Sequence, residues 1–219
     1  MRTTVKLGAV AVTASAALLL TACGGSSSGS GSNAAAVVST HASQGPGVAL
    51  DSPFAKPSLV LTDNHGKSFD LVKETAGHPV LLYFGYTHCP DVCPTTMSDI
   101  ALAKSKLSPA DQAKLQVVFV TSDPDRDTPA RLNAWLGAID KSFIGLTGKF
   151  STIQAAARSL GVGIDPPVKE KDGSITVTHG AEVLGFWPKD NKAHVVYMSG
   201  TTADQYTREL PKIIRSEKS

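Results

Sequence analysis

The stretch that decides the fold is residues 79–94, which read PVLLYFGYTHCPDVCP. Its first part, residues 79–84, is an unbroken apolar run of the kind that forms a buried central strand. Its second part carries Cys89 and Cys93, and the apolar positions after them predict a helix that continues to about Leu107. Sites in open α/β sheets gather where strands give way to helices, so we expect the chemistry of the chain at these cysteines.

On both sides of this stretch, predicted strands alternate with predicted helices. We expect further strands near residues 58–61, 115–120, 144–146, 175–177, 181–187 and 194–198. We expect further helices that begin near residues 109, 127, 151 and 203, with Asp127 as an N-cap and with Ser151 and Gln154 as a capping box. The order β-α-β-α followed by β-β-α predicts an α/β thioredoxin-like sandwich, with an N-terminal β extension and an inserted hairpin.

The N-terminus predicts export and a membrane anchor. Arg2 and Lys6 precede an apolar run over residues 7–20, which forms a charged n-region and an h-region too short for a comfortable membrane span. A tilted anchor helix is the alternative. The sequence Leu20-Thr21-Ala22-Cys23 at the end of the run resembles the bacterial lipoprotein signal. The resemblance implies cleavage before Cys23 and a diacylglyceryl group on its sulfur, whose two chains suffice for stable anchoring.

We therefore divide the chain into three segments. Residues 1–22 are the signal peptide, residues 23–51 are a lipidated, flexible Gly/Ser/Ala tether, and residues 52–219 are the folded domain. This division predicts a lipid-anchored protein on the outer face of the cytoplasmic membrane, with an extracytoplasmic domain. Without Arg2 and Lys6, the 21 basic residues fall to 19 and equal the 19 acidic residues. This near-neutral balance argues against a nucleic-acid partner, which requires a basic face.

The cysteine count singles out one reactive pair. There are 3 cysteines, and if Cys23 carries lipid, Cys89 and Cys93 remain. A structural disulfide is one alternative, but a bridge across so small a loop removes little entropy from the unfolded chain. Two soft sulfurs without a full set of four ligands favour Cu(I), or Cu(II) with added nitrogen, whereas a structural zinc site requires four ligands.

A further ligand has to come from another part of the chain, and His179 is the candidate among 6 histidines. It lies just before the strand predicted at residues 181–187, and in a thioredoxin-like fold the loop that enters this strand abuts the two-cysteine motif. His88 is adjacent to Cys89, but neighbouring residues on an extended backbone tend to point apart. The other histidines are interpreted as surface or structural residues, namely His41, His65, His78 and His194.

Three ordered motifs resemble those of the Sco/SenC family. They are GYTHCPDVCP at residues 85–94, TSDPDRDTP at residues 121–129, and the distal His179. The resemblance implies that Cys89, Cys93 and His179 bind copper. It also implies a metallochaperone rather than an enzyme, which serves assembly of the CuA centre of cytochrome c oxidase. The expected partners are oxidase subunit II and an upstream copper donor, and the chain itself is expected to be a monomer.

Four residues near these motifs have less direct interpretations. Asp91, inside the cysteine loop, either tunes the metal or faces water. Asp123, at the end of a predicted strand, either lies beside the site or forms a turn, and turn formation is the simpler interpretation. Gly180 and Gly185 stand at positions after His179 where the family often has aliphatic residues. This difference affects the expected packing around His179 and does not affect its role as a ligand.

Two other functions are compatible with a thioredoxin-like fold. Cys89 and Cys93 could alternate between dithiol and disulfide, and so reduce the cysteines of the CuA site or of another exported protein. His179 separates this function from copper binding, because disulfide exchange does not require an imidazole. A peroxidase fits less well, since such enzymes keep a lone peroxidatic cysteine rather than a pair.

Overall fold

Ten strands and six helices lie within residues 46–218, the part of the chain that this computed structural model describes. The strands are β1 (Gly47–Ala55), β2 (Val60–Asp63), β3 (Ser68–Asp70), β4 (Val80–Gly85), β5 (Gln116–Thr121), β6 (Ile144–Thr147), β7 (Val168–Lys169), β8 (Ile175–Thr176), β9 (Val183–Phe186) and β10 (Lys192–Tyr197). The helices are α1 (Leu71–Glu74), α2 (Val92–Ser105), α3 (Pro109–Lys114), α4 (Pro129–Gly137), α5 (Phe150–Ser159) and α6 (Ala203–Arg215). The predictions for the signal peptide, Cys23 and His41 lie outside the described residues.

Eight of the strands form one mixed sheet in the order β1-β10-β9-β4-β5-β6-β2-β3, and β7 and β8 form a separate hairpin. β4 lies in the middle, parallel to β5 and antiparallel to β9. All of its residues are buried, which confirms the prediction of a buried central strand. The sheet and its helices form the thioredoxin-like sandwich that the order of elements predicts, and β7 and β8 are the inserted hairpin.

The side chains of β4 alternate between two hydrophobic cores, one on each face of the sheet. Leu82 and Phe84 belong to the core that α5 covers. Leu81 and Tyr83 belong to the core that α2 and α6 cover, and this core also contains Cys93. Burial of one such large side chain contributes about 1.5–3 kcal/mol to the stability of the fold. The side chains of β4 therefore stabilise the packing on both faces of the sheet. The packing of the second core therefore fixes the position of Cys93.

The N-terminal extension begins earlier than the sequence predicts. β1 starts at Gly47, ahead of Ser52, and pairs antiparallel with β10, with Val48 opposite Val196. The last residues assigned to the flexible tether are therefore part of the sheet. This stretch carries no clear hydrophobic periodicity, so its structure depends on hydrogen bonds to a strand that lies far away in the sequence.

The start of α5 also differs from the prediction. α5 begins at Phe150, so Ser151 lies inside the helix and the predicted capping box is wrong. Gln154 instead donates a hydrogen bond to the carbonyl oxygen of Ile164 at 2.8 Å, a partner that sequence spacing does not reveal. α6 begins at Ala203, as predicted, and ends at Arg215. Within residues 46–218, no helix combines the length and apolar character needed to cross a membrane.

Candidate metal centre

Cys89 and Cys93 lie at the junction of β4 and α2. A hydrogen bond from the Cys89 N–H to the Tyr86 carbonyl oxygen, 3.2 Å long, closes the turn between the two elements. α2 begins at Val92, and the Cys93 N–H at the helix N-terminus lies 3.4 Å from the Cys89 sulfur. Both cysteines are free thiols, with Cys93 buried and Cys89 half-buried.

His179 reaches this junction from the other half of the chain. It forms an isolated bridge with Ile164, and the Gly180 N–H donates to the Gly163 carbonyl oxygen at 2.7 Å, so the segment before β9 is held in place. The Nδ1 atom of His179 lies 2.8 Å from the Gly180 carbonyl oxygen. Because a carbonyl only accepts, this contact puts the ring proton on Nδ1 and leaves the Nε2 lone pair free.

The three ligands predicted from the sequence lie together. The sulfurs of Cys89 and Cys93 and a ring nitrogen of His179 all lie within 4.8 Å of one another. Among the described residues, this is the one group of three or more histidine, cysteine or acidic side chains with such spacing. Two soft sulfurs and one imidazole suit Cu(I), and a group of three such side chains within residues 46–218 differs from a closed structural zinc site, which has four ligands.

The two thiols differ in acidity. Burial alone raises the pKa of the Cys89 thiol, but hydrogen bonds from the backbone N–H groups at the start of α2 outweigh burial and hold that pKa below its usual value. Burial raises the pKa of the Cys93 thiol to about 12, despite hydrogen bonds to its sulfur. Near neutral pH, Cys93 therefore keeps its proton and Cys89 is the more readily ionised thiol.

Two tyrosines that the sequence analysis did not select line the site. The Tyr83 hydroxyl lies 3.5 Å from the Cys93 sulfur and donates a hydrogen bond to it. Burial raises the pKa of this hydroxyl, which therefore keeps its proton. The rings of Tyr83 and Tyr86 lie edge-on to the His179 imidazole, with centroids 6.1 and 5.6 Å from it. The sequence did contain a signal for Tyr83, because a tyrosine within a buried strand needs a partner for its hydroxyl.

Asp91 and Asp123 do not belong to the three-residue group. Asp91 is exposed and its side chain does not cap α2, which favours the interpretation that it faces water. Asp123 is 1% exposed and forms an ion pair with Arg126, which favours a role in its own turn.

Asp127 has a different role from the one predicted. Thr128, rather than Asp127, caps α4. Asp127 is fully buried and accepts hydrogen bonds from Thr87, beside the cysteine motif, and from Thr121 in β5. Hydrogen bonds from these donors stabilise the buried carboxylate. The donors come from other segments of the chain, so a local capping pattern in the sequence does not reveal them.

The remaining histidines of residues 46–218 lie outside the group. His65 is exposed, His78 contacts the Lys114 carbonyl oxygen, His88 faces Asp127, and His194 pairs with Asp190. The expectation that these histidines are surface or structural residues agrees with these contacts.

Comparisons with known proteins identify relatives of this chain. The SCO1/SenC family model matches residues 49–215. A putative copper-binding protein of Stutzerimonas stutzeri is 33% identical over 165 residues, which cover 75% of this chain and 79% of the relative. Mitochondrial protein SCO1 of Saccharomyces cerevisiae is 33% identical over 171 residues, which cover 76% of this chain but only 56% of the relative.

A solved structure extends this likeness to the fold. ScoI of Bradyrhizobium japonicum, determined with copper bound, is 31% identical and superposes with a TM-score of 0.62. The match covers 74% of this chain and 98% of that protein. The sequence and structural comparisons therefore agree on one family.

Proposed function

The chain belongs to the SCO1/SenC family, and from this premise we propose that it is a copper metallochaperone for assembly of the CuA centre of cytochrome c oxidase. Its cargo is copper, held by the thiolates of Cys89 and Cys93 and by the imidazole of His179. The observation that carries the proposal is the grouping of these three ligand atoms within 4.8 Å. The copper named for the relatives in S. stutzeri and B. japonicum supports the choice of metal.

Loading of the site replaces protons with metal. Thiols bind metals as thiolates, so copper binding displaces the proton of Cys93 and any proton on Cys89. The Cys93 thiol lies 3.6 Å from Nε2 of His179 and can donate its proton toward that nitrogen. The two atoms that share this proton then become ligands. The Tyr83 hydroxyl continues to donate to the Cys93 sulfur and stabilises its negative charge.

Transfer requires a site that can also release its metal. Three protein ligands leave a position open to an incoming ligand, so copper can pass by stepwise ligand exchange. Cys89 is half-buried and Cys93 is buried, so an acceptor protein reaches the metal from the side of Cys89. We propose oxidase subunit II as the acceptor, and an upstream copper donor that loads the monomeric chain from the same side.

The location proposed for the protein follows from its N-terminal sequence. Residues 1–22 act as a lipoprotein signal, Cys23 carries the lipid, and the Gly/Ser/Ala-rich tether separates the folded domain from the outer face of the cytoplasmic membrane. Mass spectrometry of the mature protein tests this arrangement. An unmodified Cys23 or an intact signal peptide would contradict it.

Thiol–disulfide exchange is a second candidate function, favoured by the different acidities of the two thiols. The Cys89 thiolate would attack a target disulfide, break its S–S bond and release one target thiolate. Cys93 would then lose its proton and attack the Cys89 sulfur, which forms the Cys89–Cys93 disulfide and releases the second target thiolate. The two electrons lost by the pair reduce the target, whose thiolates take up two protons.

Copper titration of His179→Ala separates the two functions. The reduced protein would compete with a chromophoric Cu(I) chelator, in a Cys23→Ser background so that only Cys89 and Cys93 carry thiols. We expect the wild-type site to bind one Cu(I), and the loss of one of its three ligands in His179→Ala to lower the affinity at least about tenfold. His65→Ala is the matched control, because His65 is exposed and lies outside the group.

The outcome decides between the candidates. A loss of affinity in His179→Ala and in Cys93→Ser, with no loss in His65→Ala, supports the metallochaperone. If His179→Ala binds Cu(I) as tightly as wild type, the three-ligand site is wrong and thiol–disulfide exchange becomes the leading function.

A further inference from the structure

The turn that carries Cys89 is anchored to a buried carboxylate outside the proposed ligand set. Asp127 is 0% exposed and lies between β5 and α4. Its Oδ2 accepts a hydrogen bond from the Thr87 N–H at 2.9 Å, and its Oδ1 accepts one from the Thr87 hydroxyl at 2.5 Å. Oδ2 also accepts from the Thr121 hydroxyl at 2.7 Å. One side chain therefore ties the cysteine turn to the end of β5.

Two further side chains reinforce this anchor. The Nε atom of Arg131, on α4, donates to the Thr87 hydroxyl oxygen at 2.9 Å, and its Nη2 lies 3.4 Å from the Thr87 carbonyl oxygen. The Nδ1 atom of His88 lies 3.5 Å from Oδ1 of Asp127. The N–H, carbonyl and hydroxyl groups of Thr87 are thus all bound by residues far away in the sequence.

Different parts of the structure fix the positions of the two cysteines. Cys93 lies on α2 inside a hydrophobic core, so helix packing sets its position. Cys89 precedes the helix and is only partly packed against that core. The turn that closes from Cys89 back to Tyr86 therefore sets the position of the Cys89 sulfur. Thr87 is the residue of this turn whose backbone and hydroxyl groups are hydrogen-bonded to Asp127 and Arg131.

We propose that Asp127 is a positioning residue for Cys89. Through Thr87 it fixes the turn, and the turn sets the distance of the Cys89 sulfur from Cys93 and His179. The inference deepens the proposed function, because it concerns the same site. The relative position of the two sulfurs governs disulfide formation as well as copper binding, so the anchor can be tested without copper.

Loss of the anchor has a measurable consequence. Asp127→Ala leaves the buried Thr87 N–H without its acceptor and frees the turn. A freer turn lowers the effective concentration of the Cys89 thiol at Cys93. We therefore expect the equilibrium constant for forming the Cys89–Cys93 disulfide to fall about tenfold, and the Cu(I) affinity to fall in the same direction.

Equilibration of the full-length chain with glutathione, in a Cys23→Ser background, tests the proposal. The two thiols lose two electrons and two protons to oxidised glutathione, which becomes two molecules of reduced glutathione. Asp127→Asn keeps the shape and one acceptor oxygen, so it should restore most of the wild-type constant. Glu209→Gln is the control, because Glu209 is another buried carboxyl group, 1% exposed on α6 and paired with Lys212.

Three results together support the proposal, whatever the melting temperatures of the variants. The equilibrium constant for forming the Cys89–Cys93 disulfide falls in Asp127→Ala, recovers in Asp127→Asn and does not change in Glu209→Gln. An unchanged constant in Asp127→Ala, or an equal fall in Glu209→Gln, overturns it. If Asp127→Ala does not fold, Thr87→Val replaces it, with an expected fall of about threefold, and no change there overturns the proposal. If wild type binds no Cu(I), the proposed function fails, while the glutathione constant still tests the anchor.

Discussion

The sulfur of Cys93 lies 3.6 Å from Nε2 of His179, although the two residues are 86 positions apart in the sequence. The antiparallel pairing of β9 with β4 produces this contact, since Val183 lies opposite Tyr83. The segment that enters β9 therefore arrives beside the segment that leaves β4. Because the sheet assembles the ligand set, we expect changes at the end of β4 to disturb the site.

Gly85→Ala is expected to weaken Cu(I) binding and to lower the free energy of unfolding by about 1–3 kcal/mol through overpacking. A Cβ atom at this position would lie 2.7 Å from Cε1 of Tyr83 and 3.1 Å from the Cys93 sulfur. Urea unfolding and Cu(I) competition measure both effects. Gly137→Ala is the control, because a Cβ atom there meets no atom within 4 Å. Equal behaviour of the two variants would contradict close packing at Gly85.

Iodoacetamide is expected to modify Cys89 well before Cys93 in the reduced, metal-free protein near neutral pH. Alkylation proceeds through the thiolate, and the pKa of Cys89 is lowered whereas that of Cys93 is raised to about 12. Cys93 is also 0% exposed. Peptide mass spectrometry over time, with Cys23→Ser in place, measures the order of modification. Similar rates at both cysteines would contradict the assigned acidities.

Tyr83→Phe is expected to change the absorption spectrum of the protein loaded with Cu(II). The substitution removes the hydroxyl that donates to the Cys93 sulfur at 3.5 Å, so the thiolate becomes a stronger donor to the metal. The sulfur-to-Cu(II) charge-transfer band should then shift. Tyr206→Phe removes another buried hydroxyl from the same core, away from the ligands, and should leave the band unchanged. A band that does not move in Tyr83→Phe would show that this hydrogen bond does not tune the site.

Lys56 should make the stability of the protein depend on pH in the alkaline range. Its Nζ is buried and donates to the Thr75 hydroxyl at 2.6 Å and to Oδ1 of Asn191 at 2.7 Å, and burial lowers its pKa from 10.5 to about 8. Between these two pH values the unfolded chain binds more protons than the folded one, so the free energy of unfolding rises with pH. The rise is at most about 3–4 kcal/mol, which corresponds to the full shift from 10.5 to about 8 at about 1.36 kcal/mol per pKa unit.

Urea unfolding at a series of pH values measures this effect as a difference between wild type and Lys56→Met. The subtraction removes the contributions of the other groups that titrate in the same range. A difference that stays constant from pH 8 to pH 10.5 would mean that the pKa of Lys56 is not lowered by folding.

Local signals in the sequence were sufficient for several elements. The buried strand β4 and the start of α6 were predicted correctly, because strand burial and helix starts leave short-range patterns in the sequence. The same kind of signal failed for Ser151 and for Asp127. Both resemble helix caps locally, but Ser151 lies inside α5 and Asp127 is bound by threonines from other segments.

The sequence by itself determined the chemistry of this protein: two thiols at the start of a helix, a distal histidine before a late strand, and the motifs of one family. Only the tertiary structure decided which thiol is buried, which nitrogen of His179 faces the sulfurs, and that Asp127 anchors the cysteine turn. The physical reason is that burial and hydrogen-bond partners depend on the pairing of β4 with β5 and β9. Such long-range contacts leave no periodic pattern in the chain.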